Sequence, residues 1–236
     1  MGARGSALAN GNGFHGTGLD GTLATRPAAA PPDHDALVVV TEQPDVPGWV
    51  ADWCEGTGRP VRLQPAPGAP EERIRTVAGL AGCSVLVLRT GPAAPAGPPG
   101  PSHRGKVVAA VRDLAVDGHV LAEAAEAAGR LDASLVLAHG VPLSFGERSV
   151  GLPDAVERGH RVLAAAADRV TSAYPGCTVT TRLLRLRPHE LVGEALDADL
   201  LVLGGSRRRL PARLGLVASS ALQHAPCPVL FAPRPA

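Results

Sequence analysis

Four strand-length apolar runs and one alternating run punctuate residues 105–234, and the stretches between them carry the spacing of amphipathic helices. The first run is Val107 to Val111 (VVAAV), and an Ala-rich helix from Val116 to Arg130 follows it. Ser134 to Ala138 (SLVLA) is the second strand. Pro153 suits the first turn of a helix that runs to about Tyr174, where Pro175 and Gly176 stop it. Thr178 to Leu184 (TVTTRLL) alternates and is rich in β-branched residues, as suits a strand near a sheet edge. Pro188 opens a helix to about Leu196, Asp199 to Leu203 (DLLVL) is a fourth strand, Gly215 to His224 a last helix and Val229 to Ala232 a last strand.

Strands that are apolar throughout must be covered on both faces. The pattern therefore predicts an α/β fold, a doubly wound five-stranded parallel sheet of Rossmann-like type. Right-handed crossovers put the reversal of winding between the first and fourth strands, and ligands in such sheets lie beyond the carboxyl ends of strands at that reversal. The residues to examine are those just after Val111 and just after Leu203.

A shorter segment, residues 35–90, repeats part of this plan. Ala36 to Thr41 (ALVVVT) reads as a strand, Pro47 to Cys54 as a short helix, Val61 to Leu63 as a weak strand, Pro70 to Leu80 as a helix and Ser84 to Arg89 (SVLVLR) as a strong strand. The passage SVLVLRTG echoes DLLVLGGS at 199–206, so the segment reads as a shortened, degenerate tandem copy that lacks one strand-helix unit. About 55 residues bury little core alone, so it is expected to pack on the larger domain. The Pro-rich stretch 91–104 reads as a semi-rigid linker, and residues 1–34, with few large apolar side chains, as a disordered tail. GTGLDG within that tail follows no strand and opens no helix, so it does not qualify as a nucleotide loop.

With 45% hydrophobic residues and net charge +1, nothing in the bulk composition calls for nucleic acid. The start of the chain lacks the basic and apolar regions of a signal peptide, and no run reaches the length of a membrane span. The four cysteines, Cys54, Cys83, Cys177 and Cys227, show no C-x-x-C spacing and read as reduced, mostly buried thiols. These features place the protein in the cytoplasm, away from membranes and without a metal.

Asp199 to Pro233 (DLLVLGGSRRRLPARLGLVASSALQHAPCPVLFAP) resembles the C-terminal third of universal stress proteins: a strand, a Gly-Ser-Arg loop, a helix and the ending His224-Ala225-Pro226-Cys227-Pro228-Val229. With the strand and helix order from Val107 onward, the likeness spans about 130 residues, the domain 105–234. It implies a five-stranded parallel sheet that often dimerises, and ATP held by G-x-x-G, nine residues, then Gly with Ser or Thr. In such a site glycines let the backbone approach phosphates, amides point inward and a helix N-terminus adds positive potential. An acidic residue ending the first strand holds the ribose or adenine side.

This chain departs from each element. Gly204 or Gly205 matches the first glycine, but Arg208 stands three after Gly205. Gly215 matches the last glycine with the loop shortened by about three residues, and Leu216 stands where the hydroxyl belongs. Arg112 occupies the acidic position and Asp113 follows it. After Ser206, the side chains of Arg207, Arg208, Arg209 and Arg213 make the loop strongly basic. It reads either as a solvated loop or as a site whose guanidinium groups pair with phosphate. His139 ends the second strand near the pocket mouth and reads as a hydrogen-bonded structural residue. His189 and Glu190 open a helix, where the dipole accounts for the carboxylate. Ser219 and Ser220 lack a G-x-S-x-G elbow.

The function expected is that of a non-enzymatic stress-response or regulatory protein with a degenerate nucleotide or anion pocket, taking a small anionic ligand, ATP or another adenine nucleotide, or a protein partner. The alternative is an ATP-binding universal stress protein or a nucleotide-hydrolysing enzyme of the same fold class. The last strand should offer a sheet edge, paired either with a second copy as a homodimer or with the N-terminal segment of the same chain.

Overall fold

The computed structural model of the chain describes residues 36–41, 48–65, 70–80, 82–88, 105–141, 152–186, 192, 197–205 and 214–233. The tail to residue 34, the linker 91–104, most of the helix expected from Pro188 to Leu196, and Ser206 to Arg209 with Arg213 lie outside these residues.

The shorter segment supplies β1 (Leu37–Thr41), α1 (Gly48–Thr57), β2 (Val61–Pro65), α2 (Pro70–Gly79) and β3 (Ser84–Val87). The longer one supplies β4 (Lys106–Ala110), α3 (Leu114–Arg130), β5 (Ser134–Gly140), α4 (Leu152–Ala173), β6 (Val179–Leu184), β7 (Leu200–Gly204), α5 (Leu216–His224) and β8 (Val229–Ala232). The five strands of the longer segment are parallel, in the order β8-β7-β4-β5-β6, as the continuous apolar runs of the inner strands require. β4 and β7 are neighbours, with Ala109 beside Val202, so the winding reverses where the apolar runs placed it. The alternating strand β6 lies at the edge.

The sheet does not stop at five strands. It continues through β3, β1 and β2 to make eight in the order β2-β1-β3-β8-β7-β4-β5-β6, so β8 is interior. β8 is shared, parallel to β7 on one side and antiparallel to β3 on the other. The N-terminal segment, not a second copy, covers the edge that the last strand would otherwise expose.

Side chains alternate between two cores that both cross this junction. One face gathers Leu37 and Leu86 with Val107, Val202 and Leu230 under α1, α3 and α4; the other gathers Val38 and Val85 with Val108, Leu203 and Phe231 under α2 and α5. Residues 36–88 therefore share their core with the longer segment, which answers the small size that would make them marginal alone.

α3 begins two residues before the position read from the sequence, because Asp113 caps it: its carboxylate accepts the N–H of Ala115 at 2.8 Å. At the far end the N–H of Ala133 reaches the carbonyl of Ala128 at 2.9 Å, and Asp132 between them takes φ 47°, a left-handed turn that Asp tolerates. The chain is thereby turned back into β5. At the amino ends of the central strands, the Lys106 N–H donates to Asp199 Oδ2 at 2.7 Å and the Asp199 N–H to the Lys106 carbonyl at 2.9 Å, which pins β4 beside β7.

Candidate functional site

The carboxyl ends of β4 and β7 bring Arg112, Asp113, Gly204 and Gly205 to one end of the sheet. Arg112 and Asp113 are exposed, and Gly204 and Gly205 are half-buried. α5, whose N-cap is Gly215, packs under the face that carries Leu203 and Phe231.

The backbone at the β4 corner is already satisfied from within. Asp117, 4% exposed, turns its carboxylate back toward the strand end, and Oδ2 accepts the N–H of Arg112 at 2.7 Å and of Asp113 at 3.1 Å. The Asp117 N–H in turn reaches the Asp113 carbonyl at 2.8 Å. Two acidic side chains thus occupy the positive end of α3, where an anion would otherwise be favoured. Asp113, read from the sequence as the residue after the acidic position, is a helix cap in extended conformation rather than a continuation of the strand.

The β7 corner is different. The Gly205 N–H donates to the Ala232 carbonyl at 2.8 Å, and a Cβ at this position would stand 2.9 Å from that oxygen. Gly205 therefore has a packing reason to be glycine, independent of any ligand. Across the loop, Gly215 brings no side chain to cap α5, and the first turn of that helix carries no carboxylate such as α3 has. Leu216, at the position of the expected hydroxyl, is 69% exposed, the one large apolar side chain so exposed among the described residues.

His139 is held as a structural group. Its Nδ1 lies 2.8 Å from the Val111 carbonyl, which makes Nδ1 the protonated nitrogen. Its ring packs under α4 at Gly159, where an added Cβ would come within 3.0 Å of Cδ2 and 2.6 Å of Leu183 Cδ1. Of the residues singled out in the sequence, the fold brings Arg112, Asp113, Gly204 and Gly205 to this end of the sheet, with Gly215 and Leu216 opening α5; His139 is turned into the α4 interface. Ser206, Arg207, Arg208 and Arg209 lie outside the described residues. Among the described residues no three His, Cys, Asp or Glu side chains gather as metal ligands, and no helix is long and apolar enough to cross a membrane.

Asp117 was not visible as a site residue in the sequence. An acid in the first turn of a helix is explained by the dipole alone, and the only hint is its spacing of four from the capping Asp113.

No curated protein matches the chain. Among solved structures, a protein from the universal stress protein family of Burkholderia pseudomallei is 29% identical, with 57% of this chain and 99% of that one covered and a TM-score of 0.43. A universal stress protein from Archaeoglobus fulgidus is 22% identical over 54% of this chain and 93% of its own, with a TM-score of 0.45. Another, from Archaeoglobus fulgidus DSM 4304, is 13% identical over 85% of this chain and 86% of its own, with a TM-score of 0.49. The family model described as "Universal stress protein family" matches residues 103–233, more than half of the 236, and these begin just before β4 and end just after β8. The chain belongs to the universal stress protein family.

Proposed function

We propose that this protein is a non-enzymatic stress-response or regulatory member of its family, whose crevice at the ends of β4 and β7 takes a small anionic ligand through arginines rather than through a glycine cradle. The observation that carries the reading is the contrast between the two helix starts. α3 is closed by Asp113 and Asp117, whereas α5 starts at Gly215 without a side-chain cap. A phosphate is therefore favoured at α5 and disfavoured at α3. Exposed Arg112 and the run Arg207, Arg208 and Arg209, with Arg213, supply guanidinium groups suited to bidentate phosphate pairing.

ATP or another adenine nucleotide is the first ligand to try, and no metal is part of the proposal. A universal stress protein from Archaeoglobus fulgidus has been solved in complex with dAMP, and another universal stress protein with cAMP. Those ligands belong to those proteins; the reading here rests on this chain's own residues. A cytoplasmic setting and a protein partner go with the same reading, as does the treatment of residues 35–90 as a shortened tandem copy of the domain at 105–234.

Against catalysis stand Leu216 at the hydroxyl position, a histidine whose Nδ1 is committed to a backbone carbonyl, and serines without a nucleophile elbow. One observation favours the second reading, an ATP-binding or nucleotide-hydrolysing protein: the exposed Asp113 carboxylate restores an acid one residue beyond Arg112. Denaturing the purified protein and analysing the released nucleotide tests the two. Retained ADP or AMP together with turnover of added ATP supports hydrolysis. An empty protein that binds phosphate-bearing anions without turnover supports the regulatory reading, and one that binds no anion at all contradicts both.

A further inference from the structure

The two parts of the sheet meet across β3 and β8, and one polar network bridges them. Ser84 opens β3 and is fully buried. Its Oγ donates to Glu123 Oε1 at 2.7 Å and accepts from Arg59 Nη2 at 2.7 Å. Arg59 Nη1 donates to both oxygens of Glu123, at 3.1 and 3.0 Å. Arg59 lies just before β2, and Glu123 lies in α3 on the other side of the junction. The Arg59 and Glu123 side chains are only 19% and 14% exposed.

A largely buried network of this kind is a poor source of net stability, because desolvation cancels much of the attraction; apolar replacements of similar volume are often as stable. Its value lies in what happens when the geometry shifts. The ladder itself is short: Val85 beside Phe231, Leu86 beside Leu230 and Val87 beside Val229, all apolar. Sliding β3 along β8 by two residues keeps every side chain on its own face and exchanges one set of apolar contacts for another. The same slide carries Ser84 about 7 Å along the sheet, beyond hydrogen-bond reach of Glu123. Arg59 moves with it, since Leu37 N–H is bonded to the Pro60 carbonyl and β1 is paired to β3. A half-buried carboxylate and guanidinium would then be left without each other, the costly outcome for such a pair.

We propose that Arg59, Ser84 and Glu123 form a register lock: the network, not the apolar contacts, selects the single antiparallel alignment of β3 on β8 and so keeps the β8 edge covered along its length against a second copy of the chain. The full-length protein tests this by NMR, through cross-strand contacts between Leu86 and Leu230 and amide exchange in β3 and β8. The triple variant Arg59→Met, Ser84→Ala, Glu123→Leu is expected to fold, yet to show added contacts displaced by two residues and exchange in β3 and β8 faster by about tenfold or more, with β4 and β5 unchanged. Glu123→Gln keeps an acceptor for both partners and is expected to retain one register. A triple variant with only the Leu86 to Leu230 contact and wild-type exchange overturns the lock. If the triple variant does not fold, Ser84→Ala decides: faster exchange confined to β3 and β8 supports the lock, and wild-type exchange there overturns it.

Discussion

The amide of Gly205 and the carbonyl of Ala232 meet at 2.8 Å, and there is no room between their strands for a side chain on the glycine. A residue that the family resemblance marks as part of a phosphate cradle is thus also a packing residue. Gly205→Ala should destabilise the protein by about 1–3 kcal/mol through steric displacement of β8. Thermal or urea denaturation without any ligand checks this; an unchanged midpoint would mean that β8 yields freely.

Asp117 holds the backbone amides of Arg112 and Asp113. Asp117→Ala leaves the N–H groups of Arg112 and Asp113 unsatisfied at the end of the central strand, at a cost of about 1–3 kcal/mol. Asp117→Asn, which keeps an acceptor oxygen, should cost less. Equal losses in the two variants, read from denaturant midpoints, would show that charge rather than hydrogen bonding is what the site needs.

Most strands were legible as short apolar runs and β6 by its alternation, and their central order followed from the rules of winding. Arg112 and Gly204 could be singled out because they follow strands whose ends the pattern locates, whereas Gly205, Gly215 and Leu216 were marked by the resemblance to the family's glycine loop. Asp117 could not, since its contacts run from a helix back to a strand end and leave no mark beyond an acid in a first turn. The bridge from Ser84 to Glu123 spans 39 residues and that from Arg59 to Glu123 spans 64, so no local pattern reports either. The shared role of β8 was only half legible: Pro226 and Pro228 just before it suggest a sheet edge, but β8 is interior, and which strand would cover it depended on where residues 36–88 found a core.

Cys83 tests the burial of the junction by chemistry. Burial pushes its thiol from the ordinary 9.0 up to about 11, against the opposing pull of the Arg62 and Arg59 charges. Its Sγ also donates to the Leu80 carbonyl at 3.2 Å. The folded protein therefore favours the neutral thiol, a contribution fully present below pH 9 and lost as pH rises through 11. At pH 8 iodoacetamide should label Cys177, which is only partly buried, well before Cys83. Peptide mass spectrometry checks the order, and early labelling of Cys83 would mean that β3 opens readily.

Removing residues 1–100 should leave β8 with an uncovered edge and its flanking apolar faces in water. Self-association is the expected outcome. Sedimentation velocity over a range of concentrations reads it; a monomer that stays soluble would show that the longer segment does not need the shorter one as a cover.

The central claim is that any ligand at the ends of β4 and β7 is an anion held by arginines. Calorimetric titration of ATP and of inorganic polyphosphate, at low and at moderate salt, tests it most directly. Binding of both that weakens steeply with salt, needs no magnesium, and falls in Arg112→Ala and in Arg208→Ala is the predicted result. Magnesium-dependent binding of ATP alone that persists in salt and survives Arg208→Ala would contradict it.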